Sequence, residues 1–291
     1  MRILITGATG NVGAEIIRLL EQMDNIEVLA AVRNPEKIKF SGKTITPVKF
    51  NFKDPSTFDI LKGVDRMFLL RPPEISNIRQ FIQPAIEAAE LAGVKHIVFL
   101  SLLGVEHNKV TPHYKIEQLL MKSHMSYTFL RAGFFMQNLS TTHLRDIVEE
   151  NRIYLPAGKG VTSFTDVRDI AAVGAKTLTE SGHENKGYNL TGKEAITYYE
   201  VASILSGALG RKITYQPATI IGFYIHMRKL GNKPVYIIIV TILYLITRFG
   251  KAGNIAYDMK QVLGRDPITF KQFAFDYKDI FQKNNKKQEL I

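Results

Sequence analysis

The sequence predicts an α/β protein built on a doubly wound parallel sheet, with a smaller, mainly helical C-terminal substrate lobe. Three observations lead there. Short β-rich apolar runs alternate with stretches of helical period through the first half of the chain, the pattern of right-handed βαβ crossovers. A glycine loop, Thr6-Gly7-Ala8-Thr9-Gly10-Asn11-Val12-Gly13, directly follows the first apolar run and opens the first helical one. Past residue 150 this rhythm loosens into mainly helical sequence. The division expected is residues 1–150 as a nucleotide-binding domain, with 151–291 supplying the remaining sheet elements and the lobe, interleaved with the first.

Taken in order, Arg2–Thr6, Val28–Val32, Val48–Phe52, Arg66–Leu70, His96–Leu100 and Tyr127–Leu130 each read as a short buried strand. Asp54 as N-cap, Pro55 in the first turn and Gly63 past the last turn punctuate one helix. From Ser76 to Ala92, residues Ile78, Phe81, Ile82, Ala85 and Ala89 share a helical face that Gly93 closes. Beyond the turn-rich stretch Tyr154–Gly160, Asp166 can cap a helix carrying Val167, Ile170, Val173 and Leu178, and Gly187–Leu190 returns as a strand. Thr197 with Glu200 three residues on is a capping box for a helix that stops at Gly210. The remainder to Phe281 reads as mainly helical, and residues 283–289 as a polar tail that frays.

Composition narrows the chemistry. The 291 residues are 45% hydrophobic and 22% charged, and a chain of that length buries roughly three-quarters of its unfolded surface without staples. It has no cysteine, which excludes disulfides, thiolate metal sites, iron–sulfur clusters and a cysteine nucleophile. The seven histidines form neither H-E-x-x-H nor a cluster with carboxylates, so no metal site is expected. Ser101 lacks a G-x-S-x-G frame. The net charge of +11 favours an anionic partner, but the cations are scattered rather than interleaved with aromatics, so nucleic acid is not the expected one. The uncharged run Val235–Ile246, closed by Lys233 and Arg248, is shorter than the about 20 residues a bilayer span needs and reads as a buried core or interface helix. With no export signal in view, the expected location is cytoplasmic.

The glycine loop is the strongest chemical signal. Gly7 permits the tight turn, Gly10 lets backbone approach a pyrophosphate, and Gly13 lets the helix sit close to the sheet. The helix N-terminus then presents free N–H groups to the anion. Its glycine spacing differs from G-x-G-x-x-G, and the strand–turn–helix context, with a second strand about 20 residues on, is what gives it weight. At the end of that second strand, Ala30-Ala31-Val32-Arg33-Asn34-Pro35 holds no carboxylate for a ribose 2′-hydroxyl. Arg33, with Lys37 nearby, can instead meet a 2′-phosphate. NADP is therefore the expected cofactor, with NADPH preferred over NADH; the competing reading of Arg33 is a solvated surface residue.

The segments Thr6–Gly13, Ala31–Pro35, Gly63–Pro73 and Arg131–Asn138 resemble the NmrA-like family of atypical short-chain dehydrogenases, related to NADPH:quinone oxidoreductases and similar to azoreductase-type proteins. Leu263–Phe270 resembles the family's closing motif, and residues 220–255 match least. The resemblance implies a Rossmann domain. It implies that Gly7, Thr9, Gly10, Asn11 and Val12 hold the pyrophosphate and Arg33 the adenosine phosphate. Asn51 and Phe52 fall where the family lines the adenine, with Asn51 replacing a common Asp. Leu70, Arg71 and Ser101 fall near the nicotinamide ribose, and Phe134 and Phe135 would wall the nicotinamide, unless they are ordinary core.

Conventional members of the wider family use Tyr-x-x-x-Lys, and this chain departs from it. Relatives place their lysine four residues before a glutamate that Glu117 resembles, which puts His113 at the lysine position and Lys109 at the tyrosine position. Tyr114 and Lys115 are adjacent, so they point about 100° apart and cannot act as the dyad. His113 is the candidate for cofactor or substrate contact, its pKa expected near working pH, against a cap or surface role; Lys115 is second if the register slips by two. Losing the dyad disfavours alcohols and epimerase chemistry. It suits a quinone-like or conjugated carbonyl acceptor lying between the strand ends and the lobe. The rival reading is an NADP-binding redox sensor without turnover. A homodimer is left open.

Overall fold

In this computed structural model, residues 1–38, 40, 42 and 44–282 are described. The strands run β1 (Arg2–Ile5), β2 (Glu27–Val32), β3 (Ile45–Lys49), β4 (Arg66–Leu69), β5 (His96–Leu102), β6 (Ser126–Ala132), β7 (Phe134–Phe135), β8 (Arg152–Leu155), β9 (Val161–Thr162), β10 (Phe164–Thr165), β11 (Lys186–Leu190), β12 (Ile196–Thr197) and β13 (Thr214–Pro217). The helices are α1 (Asn11–Leu20), α2 (Ile78–Phe81), α3 (Gln83–Leu91), α4 (Pro112–Lys122), α5 (Leu144–Glu149), α6 (Val167–Thr179), α7 (Tyr198–Leu209), α8 (Ile220–Lys229), α9 (Pro234–Arg248), α10 (Asp258–Leu263) and α11 (Phe270–Asp276). They fall into two units. The first holds Met1–Ala132, Val167–Leu190 and Asp258–Arg265, and the second Gly133–Asp166, Thr191–Tyr257 and the chain from Asp266 onward.

The first unit is a seven-stranded sheet in the order β11-β6-β5-β4-β1-β2-β3, with every neighbouring pair parallel. This is the doubly wound Rossmann architecture. Its central strands are near-continuous apolar runs, as burial on both faces requires; Ile3, Leu4, Ile5, Met67, Phe68 and Leu69 are all buried. Three details differ from the sequence expectation. The helix expected between Asp54 and Gly63 keeps its Asp54 cap but is a 3₁₀ helix over Pro55–Leu61. The third strand occupies Ile45–Lys49 rather than Val48–Phe52. Pro47 argues against a strand at that point, yet β3 is the sheet edge, where a residue without an N–H is tolerated. The helix expected over Ser76–Ala92 breaks at Ile82 into α2 and α3, because Pro84 can donate no hydrogen bond to the preceding turn.

The second unit holds three two-stranded pairings, β7 with β10, β9 with β12 and β8 with β13, packed with helices around Tyr198, Phe223, Phe270, Phe273 and Phe281. The capping box at Thr197 and Glu200 is formed in both directions and α7 ends on left-handed Gly210. The Val235–Ile246 run lies within α9 but is not a core helix: only its Ile237, Thr241, Tyr244 and Thr247 side are buried. No helix among the described residues is long and apolar enough to cross a membrane. The polar tail expected over 283–289 lies outside the described residues.

Two histidines are locked into these cores. The His96 ring meets Thr128 Oγ1 at 3.0 Å. Since that hydroxyl donates to the His183 carbonyl at 2.7 Å, it accepts from His96 Nε2–H, and His96 Nδ1 is left without a partner. Burial, reinforced by the Arg66 charge, pushes the His96 pKa down to about 4. His143, bonded to the Tyr244 hydroxyl, is likewise pushed down to about 4 by burial. Both are neutral when folded and accept a proton when unfolded below pH 6.5. Stability therefore rises with pH across this range and is lost as pH falls from about 6.5 to 4, each histidine adding a slope approaching about 1.4 kcal/mol per pH unit. Urea unfolding at pH 7, 6 and 5 should show this loss, and His96→Gln should make it shallower by one histidine's share.

Candidate functional site

The glycine loop sits at the carboxyl end of β1. Thr6 fixes it there: its hydroxyl donates to the Phe68 carbonyl at 2.9 Å and accepts from Leu70 N–H at 2.7 Å, so β1 and β4 end in one tied unit. Gly7 has φ +66°, a left-handed conformation that side chains disfavour, and its carbonyl accepts from Gly10 N–H at 2.9 Å. A Cβ on Gly13 would stand 2.2 Å from the Gly7 oxygen, backbone against backbone. The helix start is thereby pressed onto the turn.

The α1 N-terminus is also left chemically open. Gly10 is its N-cap with no side-chain cap, and the first turn has no acidic residue. Thr9, Gly10 and Asn11 are exposed, whereas Val12 is buried and can offer only backbone. The N–H groups and the positive end of the helix dipole therefore face outward without a counter-charge. At the end of β2, Arg33 is exposed and has no ion pair among the described residues, and Lys37 follows in a 3₁₀ turn over Pro35–Lys37. Past β3, Asn51 accepts from Lys53 N–H at 3.0 Å through Oδ1 and donates its own N–H to Thr57 Oγ1. Phe52 is a core residue, packed edge-on against Phe50 at 5.0 Å.

At the end of β4, the Leu70 side chain packs over Gly7. Arg71 curls back on its own loop, donating from Nη1 to the carbonyls of Pro72, Pro73 and Ile75. Its Nε is buried with no partner, and burial lowers its pKa. His113, in the first turn of α4, stacks on Phe99 of β5 at 5.9 Å and 25°. Its Nδ1 is also buried and unpartnered. Burial, and then the Arg71 charge, push its pKa down to about 3. This corrects the expectation that His113 titrates near working pH: at neutral pH it is a neutral imidazole. Lys115 is exposed on another side of the helix.

Ser101 lies inside β5, which runs to Leu102, and its hydroxyl donates to Glu117 Oε1 at 2.6 Å. Glu117 is buried and also takes Arg131 Nε at 3.1 Å and Nη2 at 2.8 Å. Arg131 in turn reaches Glu106 at 3.5 Å. Sequence reasoning used Glu117 only as a register mark and missed this buried ion pair. The available signal was a carboxylate on the sheet-facing side of α4 opposite a cation inside a strand. Thr6 was missed too, as a hydroxyl between the strand and the glycine turn. Phe134 and Phe135 belong to the second unit, half-buried in β7, where Phe134 lies 6.3 Å from Tyr244.

Within the first unit, then, the ends of β1, β2 and β4 bring together the glycine turn, an uncapped helix start, Arg33 and the Leu70–Arg71 loop. The residues fit a dinucleotide: Gly13 lets α1 close onto the Gly7 turn so that its uncapped start stands at the strand ends, and Arg71 Nε and His113 Nδ1 are buried polar atoms still lacking a partner. The carboxyl end of an open parallel sheet is also where ligands bind. A concavity lined by Met1, Arg2, Glu27 and Asp65 lies at the opposite, amino end of these strands.

Comparison with known proteins bears on the same features. Residues 1–256 match the NmrA-like family. The chain is similar to the NAD(P)H azoreductase of Xenophilus azovorans, with 32% identity over 94% of this chain and 96% of that one. It is similar to quinone oxidoreductase 2 of Escherichia coli strain K12, with 30% identity over 79% and 82%. Among solved structures, an NADPH-dependent quinone oxidoreductase from Escherichia coli in complex with NADPH superposes with TM-score 0.83 at 26% identity, over 94% of this chain and 98% of that one.

The Gly13 contact yields a direct test. Gly13→Ala must push α1 off the Gly7 turn, at a cost of about 1–3 kcal/mol by analogy with overpacked cores. Denaturant unfolding should register that loss, and the turn it deforms should bind nucleotide more weakly in a titration.

Proposed function

The chain belongs to the NmrA-like family, and we propose that it is an NAD(P)H-dependent oxidoreductase that prefers NADPH and reduces a quinone-like or other conjugated carbonyl acceptor. The observation that carries this reading is the uncapped, carboxylate-free start of α1 beside an exposed Arg33, where a 2′-hydroxyl reader would need Asp or Glu. The names of the similar proteins, azoreductase and quinone oxidoreductase, support the reaction class. When bound, the nicotinamide would supply the hydride, which no side chain can donate, and a chain without cysteine has no thiol redox chemistry of its own.

The residues divide the work as follows. Backbone N–H groups of Thr9, Asn11 and Val12 hold the pyrophosphate against Gly7 and the side-chain-free Gly10, whose own N–H is held by the Gly7 carbonyl. Arg33 meets the 2′-phosphate, with Lys37 as a second cation. Asn51 and Phe52 border the adenine, Phe52 through packing from the core. Leu70, Arg71 and Ser101 lie toward the nicotinamide ribose. Because Ser101 already gives its hydrogen to Glu117, it serves there by holding β5 and α4 together. Phe134 and Phe135 are the aromatic candidates for the nicotinamide and acceptor.

His113 is the candidate contact residue and Lys115 the weaker one, since it is exposed. A neutral His113 offers an N–H donor rather than a transferable proton, so the acceptor oxygen draws its proton from water. An electron-poor quinone tolerates this; an alcohol substrate, which needs a base, does not.

Purified protein should oxidise NADPH when offered a panel of quinones. Tight NADPH binding without turnover on any acceptor would sink the enzyme reading and favour a nucleotide sensor. Arg33→Ala should weaken NADPH binding about tenfold or more, the scale of losing one charge-assisted contact, and leave NADH nearly unchanged. Equal losses would remove the 2′-phosphate assignment. His113→Ala should lower turnover or cofactor affinity while His113→Asn, which keeps a donor, retains part of it. Unchanged kinetics in both would retire His113 from the site.

A further inference from the structure

Between Glu200 and Asp258 the chain contains no acidic residue but seven Lys or Arg. The helices α8 and α9 lie in this stretch, pack beside each other and are joined by a turn at left-handed Gly231. Both expose aliphatic side chains, and on α9 these form a continuous stripe. On α9, Val235, Ile238, Ile239, Ile242, Leu243 and Ile246 face solvent at the helical spacing of one stripe, with Val235 69% and Ile242 52% exposed. The opposite side of α9 is the polar one. Tyr236 meets the Thr142 hydroxyl at 3.1 Å, Tyr244 is bonded to His143, and Thr247 lies against Thr162.

That bonding fixes the orientation. Turning α9 to bury its aliphatic stripe would strand those hydroxyls and their partners. On α8, Ile221, Tyr224 and Ile225 are exposed, and the same face continues into Arg228 and Lys229. Lys233 follows as the N-cap of α9, while Arg248 and Lys251 flank its far end. The neighbouring carboxylate that α8 does meet, Asp146, is buried and occupied by His226 at 2.8 Å and Arg152 at 3.7 Å. The result is a fixed aliphatic face with cations at both ends of α9, larger than the scattered apolar residues of an ordinary surface.

We propose that this α8–α9 face docks on an anionic lipid surface, lying in the interface without crossing it. Too short to span and carrying an apolar face with a basic margin, the pair has the make-up of an interfacial helix. The aliphatic stripe enters the headgroup boundary while Arg228, Lys229, Lys233, Arg248 and Lys251 meet lipid phosphates. Charge decides against a second copy as the occupant. In a two-fold pair the same patch meets itself, and two carboxylate-free, cationic faces repel. The proposal does not depend on which acceptor the protein reduces.

The test is vesicle flotation of the full chain with phosphatidylcholine alone and with phosphatidylcholine containing phosphatidylglycerol. Partition onto the anionic vesicles should exceed that onto neutral ones at least tenfold and fall with added salt. The double variant Ile238→Ser, Ile242→Ser should lose most of it, as should Lys229→Glu, Lys233→Glu, with thermal melting confirming that both remain folded. No binding to anionic vesicles overturns the proposal. So does equal partition onto neutral vesicles, or undiminished binding by folded variants. A concentration-dependent dimer that Ile238→Ser, Ile242→Ser dissolves, without vesicle binding, assigns the face to self-association instead.

Discussion

One backbone contact sets the geometry on which the proposed nucleotide site depends: the approach of Gly13 to the Gly7 carbonyl, so close that a Cβ would stand 2.2 Å from the oxygen. It fixes the distance between the first strand and the first helix, and so where the helix dipole ends. Thr6 extends the constraint sideways by tying the same turn to the end of β4, which in turn places Leu70 and Arg71. With Gly10 as a cap lacking a side chain and no acidic residue in the first turn, the helix start retains unpaired donors at a fixed position. Preorganisation here comes from tight backbone packing rather than from a network of side chains.

Farther along the sheet the arrangement is held differently. Glu117 is a buried carboxylate satisfied by Ser101 and by two nitrogens of Arg131, and removing any one partner would leave a buried charge or lone pair uncompensated. The helix bearing Glu117 also bears His113 one turn earlier, stacked on Phe99 two residues before Ser101. The ion pair therefore sets the rotation of α4, and that rotation presents His113 rather than Lys115 to the strand ends. His113 is an apolar-packed, neutral ring whose free nitrogen is a hydrogen-bonding group, not a titrating one. The departure from Tyr-x-x-x-Lys is thus a change in the kind of chemistry the position can do: it can orient, but it cannot shuttle a proton near pH 7.

Local signals made much of this legible. Strand–helix alternation is written in the periodicity, and the capping box at Thr197 and Glu200 and the stop at Gly210 are written in single residues, because a cap's chemistry is local. What the sequence hid depended on neighbours. Pro47 is acceptable only because β3 has nothing beyond it in the sheet. The split at Ile82 required weighing one Pro84 against a strong apolar period. The Glu117–Arg131 pair joins a helix to a strand across a turn, and no spacing rule announces it. The low pKa of His113 likewise follows from burial beside Arg71, which only the fold brings about.

The sequence leaves α9 open between a core and an interface helix for a related reason. An uncharged run of twelve residues closed by cations reads as core on composition alone, and hydropathy carries no information about which side faces in. The deciding residues are Tyr236, Tyr244 and Thr247, which share one side of the helix and meet Thr142, His143 and Thr162. Once they anchor the helix, the aliphatic side has nowhere to go but out. The same stretch concentrates part of the chain's excess positive charge, seven cations without one carboxylate. A cofactor of two or three phosphates answers to Arg33 and Lys37, far away in sequence, and leaves these cations unmatched. An apolar face that cannot turn inward and a basic margin that nothing in its own segment neutralises are two independent constraints, and a surface both oily and anionic satisfies them together.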